Sequence, residues 1–551
     1  MNKNFRNALF MLAAGALAVS CADYNETDNF SAQPDPAFVE PYKDLAPVKS
    51  YLDRSKYPNM TLGATLAVTD FNKQELAHAA AITNFDDLAF GKSLMSGSII
   101  TAKGVMNFLD MKDLLDHVQE IGGKVFGSPI AANANQADDW LNLLTAPIEV
   151  IVDYIEGKKV DYTTMSLGEY ECTVESGKVP TIVKYDGMNA LKVEASSKVR
   201  IVEGFEVDHL SKYTITMWMR SDKRATFSVN FSGTKAESST SSSFSIEAGG
   251  NWKKVVIEVQ SAEGETEGYL RIDNTRATAV YVQKVDIGYF PDNHRPQTEK
   301  EVTDTINYAM NAWCEGLMKI NEGRITTFDL IDEALDTKEE LENGMLDLKH
   351  STEKVFWQDI FGSENYAPAV SKAASKYYEE YGGDPAALKF FVSETGLEND
   401  KRMESLKYWI DIWDKNGAKI DGINAKVNLV FSEDAAKQEA NRASLDKLLA
   451  NLAATGKLIR LSNFDIKYQD ASGGSVTADK ITAEQRQKLA DYYAYAIKSY
   501  MDKIPHENQA GICKGNLVDT GDPVGLWSKN KNQDWVRTAT YKAFCDALSG
   551  N

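Results

Sequence analysis

The clearest fold signal in this sequence lies in two adjoining segments, Ser444-Leu-Asp-Lys-Leu-Leu-Ala-Asn-Leu-Ala-Ala454 and Leu458-Ile-Arg-Leu-Ser-Asn-Phe-Asp-Ile466. The first segment has leucines at helical spacing and predicts a helix, whereas the second is a short apolar run and predicts a strand. Gly456 stands between them and suits a turn. A helix that leads directly into a strand is the unit from which α/β folds are built.

The same pairing recurs on both sides of this segment. A strand is predicted at 62–68 with a helix following at 74–81, and further helix-strand pairs are predicted at 111–121 with 124–130 and at 403–416 with 420–430. The helical pattern at 302–318 belongs to the same series. Repeated β/α units predict a parallel sheet with helices outside it.

Residues 160–292 have a different texture, with short runs in which apolar and polar residues alternate. Examples are 213–220, 252–259 and 281–287, which are bounded by Gly, Ser and Asn turns. Period-two alternation of this kind is typical of an antiparallel sandwich. We therefore expect an all-β domain inserted between a first part at 50–159 and a second part at 293–551.

The N-terminus predicts export and a lipid anchor. Lys3 and Arg6 precede an apolar run too short to span a bilayer, so residues 1–20 are predicted to be a cleaved signal peptide. The run ends directly before Cys21, which resembles the lipobox of bacterial lipoproteins and implies lipidation of that cysteine. An acidic stretch follows and resembles a surface-export tag, so residues 21–49 are predicted to tether the protein to the outer membrane at the cell surface. An ordinary signal peptide with a chance cysteine is the alternative.

Composition narrows the classes of partner. With 551 residues, two or three domains are expected, and the formal net charge of −20 disfavours nucleic acid as a partner but places no penalty on a neutral polysaccharide. The four remaining cysteines are scattered without the spacing of metal ligands, and no cofactor or metal is predicted.

Six separated segments resemble family 10 glycoside hydrolases, the retaining endo-xylanases. Phe328-Asp-Leu-Ile-Asp-Glu-Ala-Leu335 resembles the family's Trp-Asp-Val-Val-Asn-Glu-Ala-Leu, and the other segments follow in the family's order at 84–91, 123–127, 420–423, 461–466 and 523–527, the last three resembling the last three strands. The resemblance implies a (β/α)₈ TIM barrel. The insert would follow the third strand and resembles the carbohydrate-binding jelly rolls found at this place in related xylanases.

The resemblance assigns the acid/base position to Glu333 and the nucleophile position to Asn463, which is a neutral amide. Retaining hydrolysis needs two carboxyl groups, and an amide cannot form the covalent glycosyl ester. Asp465 is the alternative second carboxyl, for an inverting mechanism, because strand alternation predicts that it faces the same side as Asn463. Other family residues are also replaced, by Met95, Asp332, Lys426, Asn428, Gly515 and the run Ser128-Pro-Ile-Ala-Ala-Asn133.

Exposed aromatic rings are candidate sugar platforms, because the C–H faces of pyranoses stack on flat aromatic surfaces. Trp252, Tyr269 and Tyr289 in the insert and Trp527 in the barrel are predicted to bind carbohydrate, each with a place in the core as the alternative. Trp218 lies in mid-strand and is predicted to be core.

These patterns predict a surface lipoprotein that binds xylan or a related plant polysaccharide without hydrolysing it and supports its capture beside true hydrolases. An endo-1,4-β-xylanase-type hydrolase with rearranged catalytic residues is the alternative from the enzyme class. A structural partner in an outer-membrane glycan-uptake complex is the third hypothesis.

Overall fold

The computed structural model describes residues 42–233, 240–249, 251–261, 264, 266–275 and 278–550. Cys21, the signal peptide and most of the predicted tether lie outside the described residues. The contacts divide the chain into two compact units. One unit is Leu141–Asn307, and the other combines the residues up to Trp140 with those from Tyr308 onward.

The first part of the second unit alternates strands with helices. Its strands are β1 (Thr61–Thr65), β2 (Asp87–Ala89), β3 (Lys124–Phe126) and β4 (Ala131–Ala132). Its helices are α1 (Val68–Lys73), α2 (Leu76–Asn84), α3 (Ser96–Ile99), α4 (Leu109–Glu120) and α5 (Asp138–Thr145), the last of which ends within the other unit.

Fourteen strands follow in the described residues before the next α-helix. They are β5 (Ile148–Glu149), β6 (Ile155–Asp161), β7 (Gly168–Glu169), β8 (Val174–Ser176), β9 (Thr181–Tyr185), β10 (Met188–Val193), β11 (Ser197–Glu206), β12 (Lys212–Arg220), β13 (Ala225–Gly233), β14 (Thr240–Ile246), β15 (Lys253–Gln260), β16 (Glu267–Asn274), β17 (Val280–Phe290) and β18 (His294–Arg295).

The remainder of the chain returns to strand-helix alternation. Its strands are β19 (Thr327–Asp332), β20 (Leu335–Glu340), β21 (Leu346–Leu348), β22 (Lys389–Thr395), β23 (Gly422–Lys426), β24 (Leu429–Ser432), β25 (Leu458–Ser462), β26 (Ile466–Gln469), β27 (Gln509–Lys514), β28 (Trp527–Lys529) and β29 (Trp535–Arg537). Its helices are α6 (Glu299–Asn321), α7 (Trp357–Phe361), α8 (Tyr366–Glu380), α9 (Asp400–Lys415), α10 (Ala435–Ala453), α11 (Ala483–Lys503) and α12 (Ala539–Ser549).

Nine of these strands form one parallel sheet that closes into a barrel. The order is β3-β2-β1-β27-β25-β23-β22-β19-β4, and β3 and β4 share one barrel position, which gives eight positions. The closure lies at Gly127, which bridges to Phe328. A Cβ at residue 127 would lie 2.1 Å from the Phe328 ring, so the closure requires glycine.

The barrel prediction is confirmed, and most of its elements lie where the sequence places them. One assignment is wrong: the eighth strand is β27, whereas 523–527 lies in the segment after that strand. The residues of β27 from Gly511 to Lys514 are buried, as a barrel strand requires, and they pair with β1 on one side and β25 on the other.

The unit Leu141–Asn307 contains two antiparallel sheets around a shared core. The larger sheet runs β15-β12-β17-β10-β9-β7, with β6 also paired to β17, and the smaller runs β14-β13-β16-β11-β8. On β12 the residues that enter the core are Tyr213, Ile215, Met217 and Met219. Trp218 therefore points away from the core and is partly exposed, so its assignment to the core from sequence is wrong.

Candidate functional site

A cavity of about 260 Å³ opens at the carboxyl ends of the barrel strands. This end of a β/α barrel carries the active site in characterised enzymes, because the βα loops meet there. The cavity brings together both predicted catalytic positions, Glu333 and Asn463. Its other lining residues are Thr65, Ala89, Gly91, Lys92, Met95, Phe126, Gly127, Ser128, Pro129, Asn135, Asp329, Asp332, Asn424, Lys426, Arg460, Ser462 and Cys513.

Glu333 follows β19 directly, and its backbone is held in a left-handed conformation with φ of 44°. Its amide donates to the carbonyl of Ser393 at 2.8 Å, while the Lys349 ammonium donates to its carbonyl at 2.6 Å. In the side chain, Oε1 accepts a hydrogen bond from Lys426 Nζ at 2.9 Å. Glu333 is therefore fixed at both its backbone and its carboxylate.

The charge of Lys426 controls the protonation of Glu333. Burial raises the pKa of Glu333, but the hydrogen bond and positive charge of Lys426, together with the charges of Lys349 and Arg402, outweigh burial and bring the pKa below its ordinary value. Burial lowers the pKa of Lys426, but Asp332 and Glu333 outweigh burial and hold that pKa above its ordinary value. At neutral pH the pair is accordingly an ammonium beside a carboxylate.

Lys426 also pairs with Asp332, the residue before Glu333. Ser393 Oγ donates to the same Asp332 oxygen at 2.6 Å, and the Asp332 side chain is only 13% exposed. One ammonium thus bridges two neighbouring carboxylates at the end of β19. Sequence reasoning recorded both replacements but did not predict that the two residues would pair.

Asn463 directly follows β25, where it is exposed and has a φ of 52°. Its side chain lines the cavity, so the position expected to hold the nucleophile carries an amide. The roles assigned to Glu333 and Asn463 stay predictions, whereas their meeting in one cavity is an observation.

Asp465 does not line this cavity, contrary to the expectation that it faces the same side as Asn463. It forms an ion pair with the buried Lys514 and accepts a hydrogen bond from Asn516 Nδ2 at 2.6 Å. A Cβ at Gly515 would lie 2.6 Å from Asp465 Oδ2, so this carboxylate occupies the space beside the glycine. Asp465 is thus engaged with Lys514 and Asn516 rather than facing Glu333 in the cavity.

Sequence reasoning missed Asp329, a buried acid on the cavity wall. Asn424 Nδ2 donates to both of its oxygens, at 2.9 and 3.2 Å. Burial, assisted by the charge of Asp332, raises the pKa of Asp329 to about 7. The available signal in the sequence was an aspartate within the otherwise apolar run Phe328-Asp-Leu-Ile331. A barrel strand is buried on both faces, so a charged residue within it is expected to point into the barrel interior.

Arg460 lines the floor of the cavity and forms an ion pair with the buried Asp87. The two Arg460 amino groups donate to Asp87 at 2.6 and 3.1 Å, and the guanidinium lies 4.1 Å from the centre of the Phe126 ring. Arg460 and Phe126 also line a larger cavity of about 650 Å³ at the amino ends of the strands. These side chains are therefore the wall between the two cavities.

The predicted sugar platforms lie in different settings. Trp527 is 7% exposed and packs edge-on against Tyr541 with ring centres 5.3 Å apart, which matches its core alternative. Tyr289 stacks on the core residue Tyr213, and the ring of Tyr269 is covered by Arg200 at 3.8 Å. Trp252 is partly exposed and contacts Tyr185. The carbohydrate roles of all four stay predictions.

Within the described part of the chain, no three His, Cys, Asp or Glu residues are grouped as metal ligands. Over the same residues, no helix has the length and apolar character needed to cross a membrane.

Comparisons with known proteins agree with this geometry. Residues 290–540 match the model of glycosyl hydrolase family 10. Among solved structures, xylanase10C from Cellvibrio japonicus is 11% identical with a TM-score of 0.51, and the match covers 90% of this chain and 72% of that chain. Xylanase B from Clostridium stercorarium F9 is 9% identical with a TM-score of 0.51, covering 91% and 100%.

Identities this low show the fold alone. No curated protein matches the chain. The chain folds as a closed eight-position β/α barrel, and residues 290–540, which form the C-terminal part of that barrel, match the glycosyl hydrolase family 10 model.

Proposed function

We propose that this protein binds xylan or a related plant polysaccharide and does not hydrolyse it. The observation that carries the proposal is the ion pair between Lys426 and Glu333, opposite an asparagine at position 463 in the same cavity. Together these features remove both chemical roles that a retaining glycosidase requires.

The first role is proton donation to the leaving oxygen, for which the acid needs a raised pKa. Glu333 has a lowered pKa, so it is ionised at neutral pH and accepts hydrogen bonds only. The second role is nucleophilic attack by a carboxylate, and Asn463 has no carboxylate. Lys426 adds a further obstacle, because a fixed cation opposes the positive charge of an oxocarbenium-like transition state.

We further propose that the protein is anchored by lipid at Cys21 in the outer membrane, faces the cell surface and operates beside a glycan-uptake complex. The lipobox-like sequence before Cys21 supports this localisation. The acidic surface supports capture of neutral glycans, since polyanions are repelled from it.

A rearranged xylanase-type hydrolase is the second candidate, and Asp329 is the observation that favours it. A buried carboxyl with a pKa near 7 is suited to donate a proton at neutral pH. In that case activity would depend on Asp329 rather than on Glu333.

The test is to incubate the purified protein with a panel of plant polysaccharides and to measure both retention and the release of reducing ends. We expect retention of xylan by the wild type with no release above a buffer control. Glu333→Gln is the matched variant, because it keeps the side-chain size and removes the charge. Release that disappears in Glu333→Gln would overturn the proposal, and release that disappears only in Asp329→Asn would establish the second candidate.

A further inference from the structure

The outward face of the larger sheet in the unit Leu141–Asn307 carries aromatic side chains. Trp218 lies between the core residues Met217 and Met219, and Tyr281 lies between Val280 and Val282, so both point away from the core. Trp218 is partly exposed, whereas Tyr281 is buried and stacks on Tyr185. Outward positions of a sandwich are usually polar. Partly exposed tryptophan on such a face departs from that pattern.

Three aromatic rings meet at one end of this sheet. Tyr185, the last residue of β9, stacks on Tyr281 with ring centres 3.7 Å apart and an interplanar angle of 14°. Trp252 contacts Tyr185 edge-on with ring centres 6.0 Å apart. Arg220, at the end of β12, places its guanidinium 5.4 Å from the centre of the Tyr185 ring. We name this group, together with Trp218, the aromatic face.

An exposed carboxylate lies beside these rings. Both phenols donate to Asp222, Tyr185 to one oxygen and Tyr281 to the other at 3.3 Å. A carboxylate has about four acceptor sites, so Asp222 retains capacity for further donors from solution. Sugars present both features that this arrangement recognises, apolar C–H faces for the rings and hydroxyl donors for the carboxylate.

Two cations on the same face are already paired, Arg220 with Asp186 and Lys284 with Asp161 at 2.9 Å. Lys254 Nζ lies 5.8 Å from the centre of the Trp218 ring, at the outer range of a cation–π contact and much farther than Arg200 lies from Tyr269. A ligand carboxylate would have to displace Asp186 or Asp161 to reach the paired cations. The charges therefore favour an uncharged glycan over one that carries uronic acid.

The outward face of the smaller sheet provides a contrast within the same unit. It holds an ionic network in which Arg271 pairs with Glu175 at 2.8 Å and with Asp273 at 2.6 Å, and in which Arg200 covers Tyr269. Tyr269 is thus an aromatic residue on an outward face that is closed by a guanidinium. It is the matched control for the aromatic face.

We propose that the aromatic face is a binding site for an uncharged polysaccharide chain, with Trp218 and Trp252 stacking on sugar rings and Asp222 accepting hydroxyl hydrogen bonds. The inference rests on the proposed function and specifies both the site and the charge class of the glycan.

The experiment uses the full mature chain and titration calorimetry with xylohexaose and with a glucuronate-substituted xylo-oligosaccharide of the same backbone length. Loss of one stacking ring should weaken the binding of xylohexaose about tenfold in Trp218→Ala and in Trp252→Ala. Tyr269→Ala should change affinity less than about twofold, because its ring is covered by Arg200. Circular dichroism verifies that each variant is folded, and Trp252→Phe should restore most of the affinity because it retains a flat ring.

The possible outcomes separate a failure of the proposed function from a failure of the aromatic face as its site. If the wild type binds no glycan, the proposed function fails. If the wild type binds and both tryptophan variants bind equally well, the proposed function stands and the aromatic face is excluded. Tighter binding of the glucuronate-substituted chain, or an affinity that falls steeply with added salt, would overturn the assignment to uncharged glycans.

Discussion

Restoring a carboxylate at the nucleophile position tests whether Lys426 keeps the cleft inactive. In Asn463→Glu the second carboxyl returns, but Glu333 remains ion-paired at 2.9 Å. Even at the ordinary glutamate value of 4.5 only about 3% of Glu333 would be protonated at pH 6, and Lys426 lowers that fraction further. Loss of general acid catalysis alone costs about 10²- to 10⁴-fold in rate.

Two substrates separate the nucleophile from the acid. A dinitrophenyl xylobioside has a leaving group that departs without a proton, whereas cleavage of xylan requires one. We expect Asn463→Glu to hydrolyse the dinitrophenyl substrate about tenfold faster than the wild type and to leave xylan at background. The rise is small because lost preorganised contacts each cost about 10²- to 10³-fold. Asn463→Gln is the control of similar size without charge.

The double variant Asn463→Glu with Lys426→Gln completes the design. Without Lys426, burial is the largest remaining influence on Glu333 and raises its pKa, so the protonated fraction at pH 6 should rise. Release of reducing ends from xylan should therefore rise over Asn463→Glu alone, within the about 10²- to 10⁴-fold that general acid catalysis contributes. If Asn463→Glu alone cleaves xylan as readily as the dinitrophenyl substrate, Glu333 already donates protons and the role assigned to Lys426 is refuted.

Three further predictions concern other parts of the chain. Asp329→Asn should stabilise the barrel at neutral pH. The pKa of Asp329 in the folded protein is about 7, above the ordinary 3.8, so the free energy of unfolding of the wild type falls by about 1.4 kcal/mol per pH unit as the pH rises between these values. Urea titrations at several pH values should find that this contribution to the slope is absent in the variant. Cys21→Ala should release the protein from the membrane fraction, and unchanged fractionation would contradict the lipid anchor. The segment Leu141–Asn307 expressed alone should unfold in one cooperative transition by circular dichroism, because it has its own core; a gradual melt would show that it needs the barrel.

The barrel was predictable because its signals are local. Helix-strand alternation and segments in family order located most barrel strands, since each β/α unit has its own periodicity. The eighth strand was misplaced because Gln509–Lys514 is short and polar at both ends, and its place depends on pairing with β1 and β25. Such pairing is a long-range property that a single segment does not reveal.

The sequence predicted which residues line the cleft, but it did not predict the contacts that their side chains make. Aligning motifs located Glu333 and Asn463, which do meet in one cavity. Strand alternation failed for Asp465 because the chain turns at Asn463, where φ is positive, so alternation does not continue past the end of β25. Alternation places Trp218 correctly, since its neighbours Met217 and Met219 are core, whereas its position in mid-strand alone predicts a core residue.

The replacements in the cleft move charged groups to different positions. Relative to the family pattern, a carboxylate is missing at 463 and one is gained at Asp332, while an ammonium is missing at Met95 and one is gained at Lys426. The number of charges is therefore conserved, but the two gained residues bond to each other. A catalytic carboxylate must be free to attack and a catalytic acid must hold its proton. Lys426 pairs with both Asp332 and Glu333, so the gained carboxylate and the gained ammonium neutralise one another beside Glu333. Our proposal of binding without hydrolysis rests on this pairing, because a carboxylate and an acid held in this way perform neither function.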